Sequence, residues 1–186
     1  MSEQSPPCSG TYWVTPGQLL AGVYPGDSDP EAMDARLSAL LDAGIGSVVN
    51  LMDEEELLEH TNGEQFPPYE DRLEALAEER GKVIEIMRHP LEAGVTPTDQ
   101  EMELILDAID AEIDGRNSPT YIHCSDGAGR TGLVVGCYLA RHQIAVGQDA
   151  VAKLVELRAF DPELAEIRSP ENIVQERMVQ RWKPER

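Results

Sequence analysis

The chain has 186 residues, 41% of them hydrophobic and 27% charged, with a formal net charge of −20. That length suffices for one domain with a sizeable core. The acidity excludes a nucleic-acid backbone and an anionic membrane surface as partners, because both require a basic face.

Met1 to Gly10 carry neither a basic start nor an apolar stretch, so a cleaved secretory signal is not expected and a cytoplasmic location is. With Pro6, Pro7 and several Ser and Gly positions, residues 1–11 read as a flexible tail before a single domain over 12–186. Leu19 to Tyr24 is an apolar run closed by Pro25-Gly26, a strand ending in a turn. Asp27 or Ser28 is then placed to cap a helix with Pro30 in its first turn. From Glu31 to Ala43 the residues Ala32, Met33, Leu37, Leu40 and Leu41 recur with helical spacing, and Gly44 ends the run. Gly46 to Met52 has a buried-strand pattern. The acidic run Asp53 to Glu56 reads as a solvated loop or helix start. Gly63 to Pro68 is turn-rich, Tyr69 to Arg80 is helical, and Gly81 stops it. Lys82 to Arg88 reads as a third strand ended by His89-Pro90.

Thr98 with Glu101 forms a capping-box pattern for a helix to about Asp114, with Met102, Ile105, Leu106 and Ile109 inward. After the turn Gly115 to Pro119, the stretch Thr120-Tyr121-Ile122 is strand-like and Leu133 to Ala140 helix-like. Asp149 to Phe160 is helical, Asp161-Pro162 interrupts, and Ser169-Pro170-Glu171 reads as the cap and first turn of a last helix reaching Trp182. Strands alternating with helices predict one α/β domain: a twisted, largely parallel sheet of about four to five strands flanked by helices. Ligands in such folds sit at the carboxyl ends of strands.

Three cysteines, Cys8, Cys124 and Cys137, do not make a disulfide framework. Four scattered histidines provide no metal-ligand spacing, so no metal is expected.

One stretch carries chemistry: His123-Cys124-Ser125-Asp126-Gly127-Ala128-Gly129-Arg130-Thr131-Gly132. It lies between a strand end and a helix start. Gly127 and Gly129 allow the backbone to curl until successive N–H groups face one point, and the helix aims its positive end there. The result is an anion cradle with Cys124 at its base. Such a position is expected to acidify the thiol, as helix N-termini and neighbouring cations take cysteines from about 8.5 to roughly 3.5–7.5.

This loop resembles the Cys-x5-Arg signature of the cysteine-dependent protein tyrosine phosphatases, in the His-Cys-x-x-Gly-x-x-Arg-Thr-Gly form of dual-specificity members. The stretch Trp13 to Gly26, Cys137-Tyr138-Leu139 and Arg168 to Gln175 are similar to small bacterial members of that group. The resemblance implies a phosphatase fold, no cofactor, and a phosphorylated protein or small phosphomonoester as substrate. It makes Cys124 the nucleophile and Arg130 the grip on two phosphate oxygens. Backbone N–H groups from Ser125, Asp126, Gly127, Ala128, Gly129 and Arg130 would hold the other oxygens. Thr131 would hydrogen-bond the departing thiolate, and His123 would fix the loop.

The pattern departs from the family at one position. An aspartate that protonates the leaving oxygen commonly follows Pro-Ile-x, and here Pro90-Leu91-Glu92 leads to Ala93. Glu92, Asp99 and Asp126 are the neighbouring carboxylates that could act instead. Alternatives to a full phosphatase are a phosphate-binding module or substrate-trapping variant with little turnover, and a phosphatase of phosphoinositides or inositol phosphates. Asp126 likens the loop to that of the myotubularins, whereas the net charge and a loop without lysine oppose a polyanionic substrate.

Overall fold

In the computed structural model, which describes residues 5–61 and 67–183, an apolar core is laid down by short strands and the helices around them. The strands are β1 (Thr11–Thr15), β2 (Leu19–Gly22), β3 (Ser47–Asn50), β4 (Glu85–Arg88) and β5 (Thr120–His123). They form one sheet in the order β1-β2-β5-β3-β4, parallel except for the antiparallel β1–β2 hairpin. Strands β2, β3 and β5 are buried at every residue, as expected of parallel strands covered on both sides. Ser47 and Thr120 meet there through hydroxyls 2.8 Å apart, so each satisfies the other away from water.

The helices are α1 (Pro30–Asp42), α2 (Glu54–Thr61), α3 (Glu70–Glu79), α4 (Asp99–Arg116), α5 (Gly129–Arg141), α6 (Gln148–Arg158), α7 (Pro162–Glu166) and α8 (Ile173–Arg181). Helices α1 and α3 pack together, and α4, α6 and α8 pack around α5, which is buried along its whole length. The capping box of α4 is present as predicted, with Glu101 N–H donating to Thr98 Oγ1 and Thr98 N–H donating to the Glu101 carboxylate. The four inward residues of that helix are all buried.

The structure differs from the sequence reading in local punctuation. Thr11 already lies in β1, Trp13 donates its indole N–H to Ser5 O, and Gly10 N–H is held by Asp161; the packed chain therefore begins before residue 12. Strand β1 itself was not predicted, because Tyr12, Trp13 and Val14 are all buried and show no alternation. Asp29, rather than Asp27 or Ser28, caps α1. Asp161-Pro162 starts the short helix α7, with the Asp161 carboxylate accepting from the Glu163 and Leu164 N–H groups. Asn172, rather than Ser169, caps α8: its side chain accepts from the Val174 and Gln175 N–H groups, whereas the Ser169 hydroxyl is engaged by Ala128 O. The turn predicted over Gly63 to Pro68 lies, apart from its last two residues, outside the described residues. No helix among the described residues is long and apolar enough to cross a membrane.

Candidate active site

Strand β5 is central, between β2 and β3, and it delivers His123 and Cys124 to the carboxyl end of the sheet. The turn that follows is tied to both neighbours: Tyr24 N–H donates to Ser125 O and Leu51 N–H to His123 O, each at 3.0 Å. Gly127 takes φ +64°, and a Cβ there would lie 2.6 Å from Gly22 O, so only glycine fits. Helix α5 begins immediately, at Gly129. The loop thus meets the two requirements of an anion site, converging N–H groups and a helix amino end.

Two side chains outside the loop hold it from behind. Arg158 of α6 is 2% exposed and donates to Gly127 O, Leu164 O and Ile167 O. Ser169 Oγ donates to Ala128 O at 2.7 Å. His123 is fully buried, and its Nδ1 donates to Cys124 O at 3.0 Å, leaving Nε2 to accept from the Tyr69 hydroxyl at 2.8 Å. Burial, with the Arg130 charge adding to it against the bond to Cys124 O, pushes His123 down to about 4. The ring is therefore neutral at physiological pH and serves to orient the loop.

Cys124 is 1% exposed. Its thiol donates to Asp126 Oδ1 at 3.6 Å, and the same oxygen accepts from Ala128 N–H at 3.0 Å. Contrary to the expected acidification, the thiol pKa stands above its ordinary value. Burial is the main cause and the Asp126 charge adds to it; contacts with Thr131 and the Arg130 charge work the other way without prevailing. The buried Thr131 hydroxyl has no partner of full hydrogen-bond geometry, yet it stands near enough to hold the thiol down in part.

Arg130 is buried and meets a partner that the sequence reading treated as a solvated acid. Its Nη1 and Nη2 donate to the two oxygens of Glu56, at 2.6 and 2.8 Å. Nη1 also reaches Leu91 O and Nη2 reaches Ser125 Oγ, both at 3.3 Å. Burial opposes the guanidinium charge, but Glu56 outweighs it and the Arg130 pKa is raised. This two-pronged bond sets the plane of the arginine. It also neutralises much of the charge that would otherwise act on the thiol.

The three carboxylates singled out near the missing aspartate fall in different places. Asp126 lies in the loop. Glu92 and Ala93 are exposed on the loop following β4, just beyond the Leu91 carbonyl that receives Arg130. Asp99 begins α4 and forms a two-pronged pair with Arg181 of α8, at 2.6 and 2.9 Å. Arg181 holds the Asp99 carboxyl below its ordinary range. Among the described residues no cluster of three or more His, Cys, Asp or Glu is placed to hold a metal.

Glu56 and Arg158 are the residues missed. Nothing separates Glu56 from Glu54 and Glu55 in an acidic run. Arg158 did leave a signal: it follows Val151 and Leu154 at seven and four residues, on the apolar stripe of α6, where a cation requires buried partners.

A protein-family model described as "Swiss Army Knife protein, DSP-PTPase phosphatase domain" matches residues 9–168. Among solved structures, the chain is similar to kinase-associated phosphatase with its catalytic-site cysteine replaced by serine (TM-score 0.66, 20% identity, covering 95% of this chain and 94% of that one). It is similar to the active form of Tk-PTP (TM-score 0.64, 19% identity, 92% and 96% covered). It is also similar to Pseudomonas aeruginosa TpbA in complex with phosphotyrosine (TM-score 0.58, 16% identity, 97% and 88% covered). A stretch of 41 residues is 46% identical to inositol diphosphatase DSP3 of Arabidopsis thaliana, covering 22% of this chain and 20% of that protein.

Proposed function

Because the chain belongs to the DSP-PTPase phosphatase family, we propose that it hydrolyses phosphomonoesters through a phosphocysteine on Cys124. The observation that carries this reading is the convergence of a buried thiol, a helix amino end and the buried Arg130 on one loop at the end of β5.

The thiolate of Cys124 attacks phosphorus, the S–P bond forms and the P–O bond to the leaving group breaks. The N–H groups of Ser125 to Arg130 take up the equatorial oxygens, where charge must be held throughout, and the Arg130 guanidinium, held in place by Glu56, adds its charge and the N–H that Glu56 leaves over. Water then attacks phosphorus and the S–P bond breaks, with the sulfur leaving as thiolate toward the Thr131 hydroxyl. That hydroxyl is buried without a full partner of its own, which suits it to this role. His123, neutral and bonded on both nitrogens, positions Cys124 and transfers no proton. No cofactor enters these steps.

The substrate is a phosphorylated protein or a small phosphomonoester. The DSP3 stretch raises an inositol phosphate as a second reading, but a net charge of −20 and a single arginine already engaged by Glu56 disfavour a ligand with several phosphates. The cytoplasm, where phosphoproteins are plentiful and thiols stay reduced, suits both the substrate and a free Cys124.

The test is hydrolysis of an activated aryl phosphate, a phosphotyrosine peptide and an inositol polyphosphate by the wild-type chain and Cys124→Ser. Turnover of the first two, abolished in the variant, is expected. Absence of any Cys124-dependent turnover between pH 5 and 8 refutes the enzyme in favour of a phosphate-binding module. Preference for the inositol polyphosphate overturns the substrate assignment alone.

A further inference from the structure

The proposed chemistry lacks a donor for the leaving oxygen, and one carboxylate outside every expected position stands against the cradle. Glu171 lies in the segment between α7 and α8. Its own N–H donates to Gln175 Oε1 at 3.1 Å, and Gln175 Nε2 donates back to Glu171 Oε1 at 3.0 Å. Gln175 is fully buried, so this exchange anchors an otherwise exposed carboxylate.

The carboxylate fills the space beside Gly129. A Cβ on Gly129 would lie 2.6 and 2.8 Å from the two Glu171 oxygens. Gly129 is both a cradle residue and the first residue of α5, so the Glu171 carboxylate stands against the backbone of the cradle. The next residue links the same segment to the loop of the missing aspartate: Asn172 Nδ2 donates to Gly94 O at 2.9 Å, and a Cβ on Gly94 would come within 3.9 Å of Glu171 Oε1. Glu171 thus bridges the cradle wall and the loop that follows Ala93.

The other carboxylates are engaged or unanchored. Both Glu56 oxygens are on Arg130 and both Asp99 oxygens on Arg181. Asp126 Oδ1 is bound by Ala128 N–H and the thiol, on the nucleophile's side of phosphorus, whereas the leaving oxygen departs on the opposite side. Glu92 is exposed and makes no side-chain hydrogen bond among the described residues.

We propose that Glu171 is the acid–base residue of this phosphatase: its carboxyl gives a proton to the leaving oxygen as the S–P bond forms, and the carboxylate then takes one from the attacking water as that bond breaks. The protons balance over the two steps, and the thiolate is regenerated.

This inference rests on the phosphatase reading, and the experiment separates the two. Wild-type chain, Glu171→Gln, Glu92→Gln, Asp126→Asn and Gly129→Ala are compared on dinitrophenyl phosphate and on a phosphotyrosine peptide, with kcat measured against pH. The amide introduced by Glu171→Gln keeps an oxygen for Gln175, so the anchor survives. Glu171→Gln is expected to lower kcat on the peptide by about 10²-fold or more, the scale of a lost general acid. Its loss on dinitrophenyl phosphate, whose leaving group needs little protonation, is expected to be at least tenfold smaller, and the alkaline limb of the wild-type profile is expected to vanish. Gly129→Ala, which displaces the carboxylate from the other side, is expected to show the same leaving-group dependence. Equal losses on both substrates, no loss, or the leaving-group-dependent loss appearing in Glu92→Gln or Asp126→Asn overturns the assignment. Wild type without Cys124-dependent turnover refutes the phosphatase reading and this one with it.

Discussion

His123 should make the fold acid-sensitive in a defined window. The native pKa is about 4 against an ordinary 6.5, chiefly because burial disfavours the imidazolium. The native state therefore binds fewer protons than the unfolded chain between those values. Stability from this group is complete above about pH 6.5 and is lost as pH falls from there to 4. At 1.36 kcal/mol per pKa unit, the loss by pH 4 is about 3 kcal/mol. For a domain of roughly this size that corresponds to about 6–12 °C in Tm. Urea unfolding of the wild type and of His123→Asn at pH 7, 5.5 and 4 measures it. The variant loses the bonds to Tyr69 and Cys124 O and should be weaker at pH 7. Its slope with pH should be shallower, so that the two proteins converge by about 3 kcal/mol on acidification. The carboxyls held below their ordinary range, Asp99 and Asp161 among them, destabilise both proteins alike at low pH and cancel in the comparison. Parallel pH dependences would refute the claim that this histidine is buried neutral.

Three further outcomes follow from the same contacts. Glu56→Gln frees the Arg130 charge to act on the thiol, so iodoacetamide should alkylate Cys124 several-fold faster at pH 7; an equal or slower rate refutes the charge coupling. Arg158→Met removes the donor to the carbonyls of Gly127 and Ile167 and one of two donors to that of Leu164, and should lower the unfolding free energy by roughly 2–5 kcal/mol, since each buried acceptor left unpaired costs about 1–3 kcal/mol; a loss below about 1 kcal/mol in a urea titration counts against the grip. Ala93→Asp should raise kcat on a phosphotyrosine peptide by less than tenfold where Glu171 already supplies the proton, whereas a rise beyond tenfold marks position 93 as the missing acid.

The candidate loop, with its turn between strand and helix, was legible because consecutive residues carry it. Gly127 marks the turn, Cys124 ends a strand and Arg130 opens a helix, so local spacing sufficed. Helices with a clean apolar stripe and a local cap, such as α4, were equally readable. Contacts made across the fold were not. Glu56 lies 74 residues from the arginine it engages, and Ser169 lies 41 from the carbonyl it binds. Ser169-Pro170-Glu171 resembles a helix cap in composition, and only its packing against α5 reveals another use. The thiol's direction was missed for a similar reason. Helix ends and cations argue for acidity, but the degree of burial and the placing of the Asp126 charge are properties of the assembled site.

The grip of Arg158 and Ser169 on Gly127 and Ala128 has a consequence for how the protein comes into being. The signature turn is encoded near residue 124, yet two of its carbonyls accept from side chains as distant as 158 and 169. A nascent chain that has extruded the signature but neither α6 nor the segment beyond it lacks both of those donors. The turn's support from outside the loop then arrives late in synthesis, with the C-terminal helices, and a cut ahead of Ser169 would remove part of it from a signature motif left wholly intact.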